Sequence, residues 1–310
     1  MSSNGGPNTL TGRIAVVTGA TSGIGREIAR GLAARGATTV VVGRGDDRAA
    51  AVAAEIARST PEAKVEAVGV TDLSLLSDVR RLADGLLARY PRIHILVNNA
   101  GAYYHRREVT AEGYERTFAL NVLAPFVLSS RLAPRLIESA PASIVNLSSA
   151  AHRGYAVNFE DLQATERYAG FREYGRTKLE LLLLTREFAR RLQGTGVVVN
   201  AVHPGFVRSG FGLNNRGAVR LGLRFLERVF GRSPESGADT PVWVAANPAV
   251  PGPTGEYFVN RRIATGSRAS ADMDSALRLY EMLGSMTGEP PLPDPSVVGS
   301  AERSGRPRPA

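Results

Sequence analysis

The chain has 310 residues, 43% hydrophobic and 22% charged, so it can bury a sizeable core and is too apolar to be wholly disordered. It has no cysteine, which excludes disulfide scaffolds, thiolate metal sites and cysteine nucleophiles, and its four histidines lack the spacing of a zinc site. The formal net charge of +9 admits nucleic acid, an anionic membrane surface or a phosphorylated ligand. No nucleic-acid recognition module accompanies the charge, and an arginine-rich solvated surface accounts for it equally well.

Residues 1–12 are polar, with no apolar run resembling a signal peptide, and are expected to be a flexible N-terminus. No segment approaches the ~20 apolar residues that span a bilayer, so a soluble, cytoplasmic protein is expected. Short apolar runs follow at Ile14–Val17, Thr38–Val42, Val65–Val70, Ile93–Val97, Ile144–Leu147 and Val197–Val202. Each is nearly continuous in apolar residues, as strands buried on both faces must be. Between them lie stretches of helical periodicity such as Arg26–Arg35 and Leu179–Leu192. This alternation predicts an α/β fold with a doubly wound parallel sheet of about seven strands. No internal repeat or second strand–helix series occurs, so one domain is expected over 13–288. Residues 206–231 interrupt the alternation and read as a small helical lid; 289–310 are rich in Pro, Ser and Arg and read as a disordered tail.

The first strand leads into Thr18-Gly19-Ala20-Thr21-Ser22-Gly23-Ile24-Gly25 and then directly into a helix. Glycines there allow a tight turn and let backbone N–H groups approach a pyrophosphate, to which the helix adds its positive end. The second strand ends Val42-Gly43-Arg44. An acidic residue at that place would bind a ribose 2′-hydroxyl and select NAD(H); an arginine favours the 2′-phosphate of NADP(H). Asp46 and Asp47 lie farther along. Asp72-Leu73 follows the third strand, where it can cap the adenine end of such a pocket. Asn98-Asn99-Ala100-Gly101 ends the fourth strand with small residues that admit a ligand and amides that can tie loops together.

Tyr174-Gly175-Arg176-Thr177-Lys178 opens the long amphipathic helix. A spacing of four puts tyrosine and lysine on one face, a turn apart. Free tyrosine titrates near ~10, too high for efficient proton transfer at neutral pH. A neighbouring ammonium favours the tyrosinate, each unit of lowering being worth about 1.4 kcal/mol. The fifth strand ends Asn146-Leu147-Ser148-Ser149, bringing a hydroxyl to the carboxyl edge of the sheet. Asn121 and Pro125 interrupt an otherwise apolar helix and predict a local distortion there.

Taken together and in this order, the motifs resemble those of the short-chain dehydrogenase/reductase family, and within it the retinol dehydrogenase group and its soluble relatives. The resemblance runs from about residue 11 to 288 and includes His203-Pro204-Gly205. It implies a single-domain Rossmann fold and an NADP(H)-dependent oxidoreductase that interconverts a ketone or aldehyde and an alcohol. Tyr174 would protonate the carbonyl oxygen, Lys178 lower its pKa and hold the nicotinamide ribose, Ser149 bind the substrate oxygen, and Asn121 anchor a water in the proton relay. Motif position selects Ser149, with Ser148 the alternative. The cofactor set implied is Gly19, Ser22, Gly23, Ile24, Gly25, Arg44, Asp72, Leu73, Asn99, Ala100, Gly101, Tyr174, Lys178, Pro204, Gly205, Val207 and Ser209. Departures from the family pattern are Ala124 where glycine is common, Pro125 beside it, serine for threonine at Ser209, and Ser22 where many NADP-preferring members carry a basic residue.

His152 and His203 are expected to be structural rather than to move protons. Through the expected lid, Arg216, Arg220, Arg224, Arg228 and Arg232 recur every fourth residue, and Leu221, Phe225, Leu226 and Val229 supply an apolar side to the same segment. That stripe reads either as a solvated face or as a docking surface for an acidic carrier, an anionic lipid surface or an acidic substrate. The lid and Tyr103-Tyr104-His105 are expected to enclose a moderately hydrophobic carbonyl or alcohol. Homo-oligomers are frequent in the family. The competing readings are a non-catalytic NADP-binding regulator on the same fold and a sugar-nucleotide epimerase or dehydratase; too little chain follows Val202 for the latter's substrate domain.

Overall fold

The structure, a computed structural model, describes residues 9–60, 62–207, 231–247 and 252–293. The first half alternates strictly: β1 (Ile14–Thr18), α1 (Gly23–Ala33), β2 (Thr38–Arg44), α2 (Asp46–Ser59), β3 (Val65–Val70), α3 (Leu76–Arg89) and β4 (Ile95–Asn98). A short α4 (Arg116–Phe118) runs through a π-helical turn (Ala119–Leu123) into α5 (Ala124–Glu138). Then come β5 (Ala142–Leu147), α6 (Gly170–Arg191), β6 (Val197–His203), α7 (Pro234–Ala246), β7 (Tyr257–Val259), β8 (Arg262–Ile263) and α8 (Met273–Thr287).

The strands pair in the order β3-β2-β1-β4-β5-β6-β7-β8, parallel throughout except for the antiparallel β7–β8 pair. The sheet thus holds eight strands rather than about seven, the extra one being the two-residue return of Arg262–Ile263 along the edge. The apolar runs are continuous because successive residues feed opposite layers. Val40 and Val42 pack with α3, α5 and α6 on one face, while Val41 packs with α1 and α7 on the other. Strand β4 starts two residues later than its apolar run because the Ile93 amide donates to Ser139 Oγ instead of entering the ladder.

The ordered body reaches into both segments expected to be flexible. Leu10 is buried, its amide donating to the Arg35 carbonyl. At the other end Leu292 is buried against Tyr280, and Arg191 Nη1 donates to its carbonyl at 2.7 Å. Buried Glu289 is bound by Arg80 and Arg131. In each case one apolar side chain covers a core edge, and at the C-terminal end a buried charge is matched as well, which composition averaged over the segment does not reveal. Most of the expected lid, with Arg216 to Arg228, lies outside the described residues; at its borders Val207 and Arg232 form a bridge.

Candidate active site

Strand order reverses at β1, whose two sides carry β2 and β4, so the carboxyl ends of these strands diverge and leave a crevice. The crevice encloses about 620 Å³ and is bordered by both halves of the sheet. From the first half come Gly19, Ser22, Ile24 and Gly25 of the turn, Arg44 at the end of β2, and Asp72 and Leu73 beyond β3. From the second come Asn99, Ala100 and Gly101, then Tyr174, Lys178 and Pro204. Thirteen of the residues expected on sequence grounds are therefore gathered along one groove.

The turn beneath the groove admits no side chain. A Cβ on Gly25 would lie 2.3 Å from Asn99 Nδ2 and 2.4 Å from the Gly19 carbonyl. Asn99 occupies that space because its amide donates to the carbonyls of Thr18 and Gly19, tying the end of β4 to the glycine turn. Thr18 Oγ1 accepts from the amides of Asn99 and Ala100, completing the tie. Bare backbone at the head of α1, flanked by polar residues, is a cradle for a pyrophosphate. Gly23 opens α1 just outside the groove lining. Gly205 is packed by the Arg232 side chain and Val207 is buried, both beside Pro204; Ser209 lies outside the described residues.

At the far end of the groove Arg44 and Arg48 border it together, both exposed and neither in an ion pair among the described residues. Asp46 does not compete for that place, since its Oδ1 accepts from the Gly69 amide of β3 at 3.1 Å. Asp72 is drawn below its ordinary value: burial would raise it, but the Ser74 amide and hydroxyl and the Arg116 guanidinium outweigh burial. Arg48 was missed on sequence grounds; its signal is a second arginine one turn into the helix that follows β2. Tyr104 also lines the groove here, under Arg116, whereas Tyr103 does not border the groove and stands edge-on to Tyr174, so the expected aromatic enclosure is divided.

At the near end the Ser149 hydroxyl acts on the Tyr174 phenol and pulls its pKa down, while Ser149 Oγ accepts from the Ala151 amide at 3.2 Å. Ser148 is excluded from that position because its own hydroxyl donates to the Lys178 carbonyl at 3.0 Å. The Ser149 carbonyl is held at 2.7 Å by Nδ1 of fully buried His152, whose Nε2 accepts from the Ser267 amide. That bonding assigns the ring proton to Nδ1 and makes His152 a brace for Ser149. Burial draws His203 down to about 4, so it is neutral at pH 7.

Lys178 Nζ donates to the Leu147 carbonyl at 2.8 Å and sits 5.6 Å from the centroid of the Tyr174 ring. Burial dominates both groups. It pushes Tyr174 up to about 12, with only the Ser149 bond pulling down, and draws Lys178 down to about 8. Among the protein's own groups burial sets both directions, because desolvation disfavours both charged forms. A phenol at about 12 is protonated at neutral pH, the form that can give a proton to an oxygen placed before it.

Asn121 lies in the π-helical turn, fully buried, where the sequence predicts a distortion. Its amide bonds both backbone groups of Ala102 and donates to Thr177 Oγ1, beside Lys178.

A glycine cradle at a topological switch point, joined to a serine–tyrosine pair beside a buried lysine, defines a dinucleotide-binding oxidoreductase. The comparisons name the family. The family model described as short chain dehydrogenase matches residues 13–217. Retinol dehydrogenase 12 of Mus musculus is 39% identical over 280 residues, covering 90% of this chain and 87% of that protein. A crystal structure of a protein from Mycobacterium paratuberculosis superposes with a TM-score of 0.73 at 30% identity, covering 93% of this chain and 97% of that one. The NADP active-site complex of Pseudomonas aeruginosa RhlG gives 0.62 at 30%, covering 82% and 96%. The chain belongs to the short-chain dehydrogenase/reductase family, an NAD(P)-binding family of dehydrogenases and reductases acting on small molecules. Among the described residues no helix is long and apolar enough to cross a membrane.

Proposed function

We propose that this chain is an NADP(H)-dependent dehydrogenase/reductase that interconverts a ketone or aldehyde and an alcohol, residues 13–288 forming the catalytic unit. The observation that carries the reading is Tyr174 and Lys178 bordering the same groove as the glycine turn, with the Ser149 hydroxyl acting on the phenol. NADPH, when bound, supplies the hydride. Ser149 and the Tyr174 phenol then bind the carbonyl oxygen, and Tyr174 passes its proton to the alkoxide oxygen as charge develops there. Lys178, fixed by the Leu147 carbonyl, holds the nicotinamide ribose and reprotonates the phenol side, with a water on the Asn121 main chain completing the relay.

The 2′-phosphate preference is supported by Arg44 and Arg48 at the groove's far end and by the diversion of Asp46 to Gly69. An NADP complex of a structural relative points the same way. The test is oxidation of NADPH and of NADH against a panel of aldehydes and ketones, with Tyr174→Phe as control. Turnover with NADPH that the substitution abolishes is the expected result. Tight NADPH binding without turnover over a broad panel would instead favour a regulator on the same fold.

A further inference from the structure

Tyr174 belongs both to the groove and to a group of aromatic rings beside it. The Tyr103 ring stands edge-on to Tyr174 with centroids 6.4 Å apart and planes at 82°. Phe171, one turn earlier on α6, lies 6.3 Å from Tyr174 at 37°, and 6.3 Å from Tyr103 at 71°. Neither Tyr103 nor Phe171 borders the dinucleotide groove, so the group extends the site away from the cofactor.

The arrangement is built into the backbone. Gly170 lets the Tyr103–His105 segment lie directly on the head of α6, where a Cβ would come 2.3 Å from the Tyr104 carbonyl. The Tyr168 hydroxyl donates to that same carbonyl at 2.8 Å, and the Tyr103 hydroxyl pairs with His105 Nδ1 at 3.2 Å. Tyr103 is thereby held at 6% exposure, while Phe171 keeps 55% of its surface open. A large apolar ring left half in water beside the proton donor has a free face to offer. Aromatic rings attract one another in edge-on and offset poses through their quadrupoles, beyond the apolar area they bury. A saturated ring offers similar area and no quadrupole.

We propose that Phe171 and Tyr103 are specificity-determining residues, an aromatic wall that favours aryl carbonyl compounds over saturated ones of equal size. The inference rests on the carbonyl–alcohol reading and names a substrate class for the same site. It is tested by kcat/KM for benzaldehyde against cyclohexanecarbaldehyde in the wild type, Phe171→Leu and Phe171→Trp. The exposure of Phe171 makes all three expected to fold. The wild type should prefer the aryl aldehyde, the preference should fall about three- to tenfold in Phe171→Leu, and Phe171→Trp should restore it. A ratio that is the same in all three proteins overturns the wall and leaves the reductase reading standing. Calorimetric binding of benzamide against cyclohexanecarboxamide separates the two ideas. If no aldehyde is turned over, the reductase reading fails, yet an aryl preference in binding that Phe171→Leu removes still supports the wall. Equal binding of the two amides overturns it.

Discussion

The two ends of the groove solve opposite problems. At the near end Tyr174 and Lys178 are buried, with Lys178 Nζ held by the Leu147 carbonyl and half-buried Ser149 acting on the phenol. At the far end Arg44 and Arg48 stand in solvent with no ion pair among the described residues. Burial is what tunes the first end, raising the phenol and lowering the ammonium. Charge in high dielectric is what tunes the second, where a guanidinium keeps its proton whatever surrounds it. Chemistry that depends on a proton is placed where desolvation can act, and recognition of a charge is placed where long-range attraction survives without the cost of burying it.

The comparison is broken most severely at the near end. Tyr174→Phe removes the proton donor while keeping the ring, and kcat/KM for carbonyl reduction should fall about 10²- to 10⁴-fold with NADPH binding retained. Ser149→Ala should cost about a hundredfold, the scale of one donor to a developing oxyanion. It also removes the bond that pulls Tyr174 down. The pH profile of alcohol oxidation, which needs the tyrosinate, should therefore move to higher pH, and a profile that stays in place would assign the titrating group elsewhere.

At the far end, Arg44→Ala and Arg48→Ala should each raise KM for NADPH about tenfold while leaving NADH nearly untouched, since only the 2′-phosphate differs. Both residues are exposed, so the effect should shrink as salt is added; the near-end substitutions should not respond to salt in this way.

Glu180 sharpens the comparison from outside the groove. It is buried on α6 with Oε2 unpartnered, and burial first, then the neighbouring Glu173, raises it to about 8. A carboxyl raised in the folded state binds more protons folded than unfolded, so stability falls as pH climbs from the ordinary glutamate value of 4.5 to about 8 and is level above that. Glu180→Gln should flatten that slope and raise Tm at pH 9 by a few degrees relative to wild type. An unchanged slope would mean that burial is not the dominant cause at this position.

The fold was legible because its signals are local. Valine runs, the Thr18–Gly25 turn and the four-residue step from Tyr174 to Lys178 each lie within one element or one connection. Asn121 was legible for a related reason, since a polar residue and Pro125 in an apolar helix mark a distortion wherever the helix packs. The edge strand β8 was not, because two residues carry no period. Arg48 was not, because which face of α2's first turn meets the groove depends on how α2 lies against β2 and β3.

By itself the sequence determined a doubly wound parallel sheet, a glycine cradle after β1 and a tyrosine–lysine pair on one helix face, all set by backbone sterics and side-chain periodicity. The tertiary structure decided that Ser149 rather than Ser148 meets Tyr174, because the Lys178 carbonyl claims the other hydroxyl. It put Tyr104 on the groove and turned Tyr103 away from it, beside Phe171 and Tyr174, and it let burial raise the tyrosine and lower the lysine. Those outcomes depend on how much water each group loses and on which distant partner reaches it first, quantities that exist only once the chain has packed.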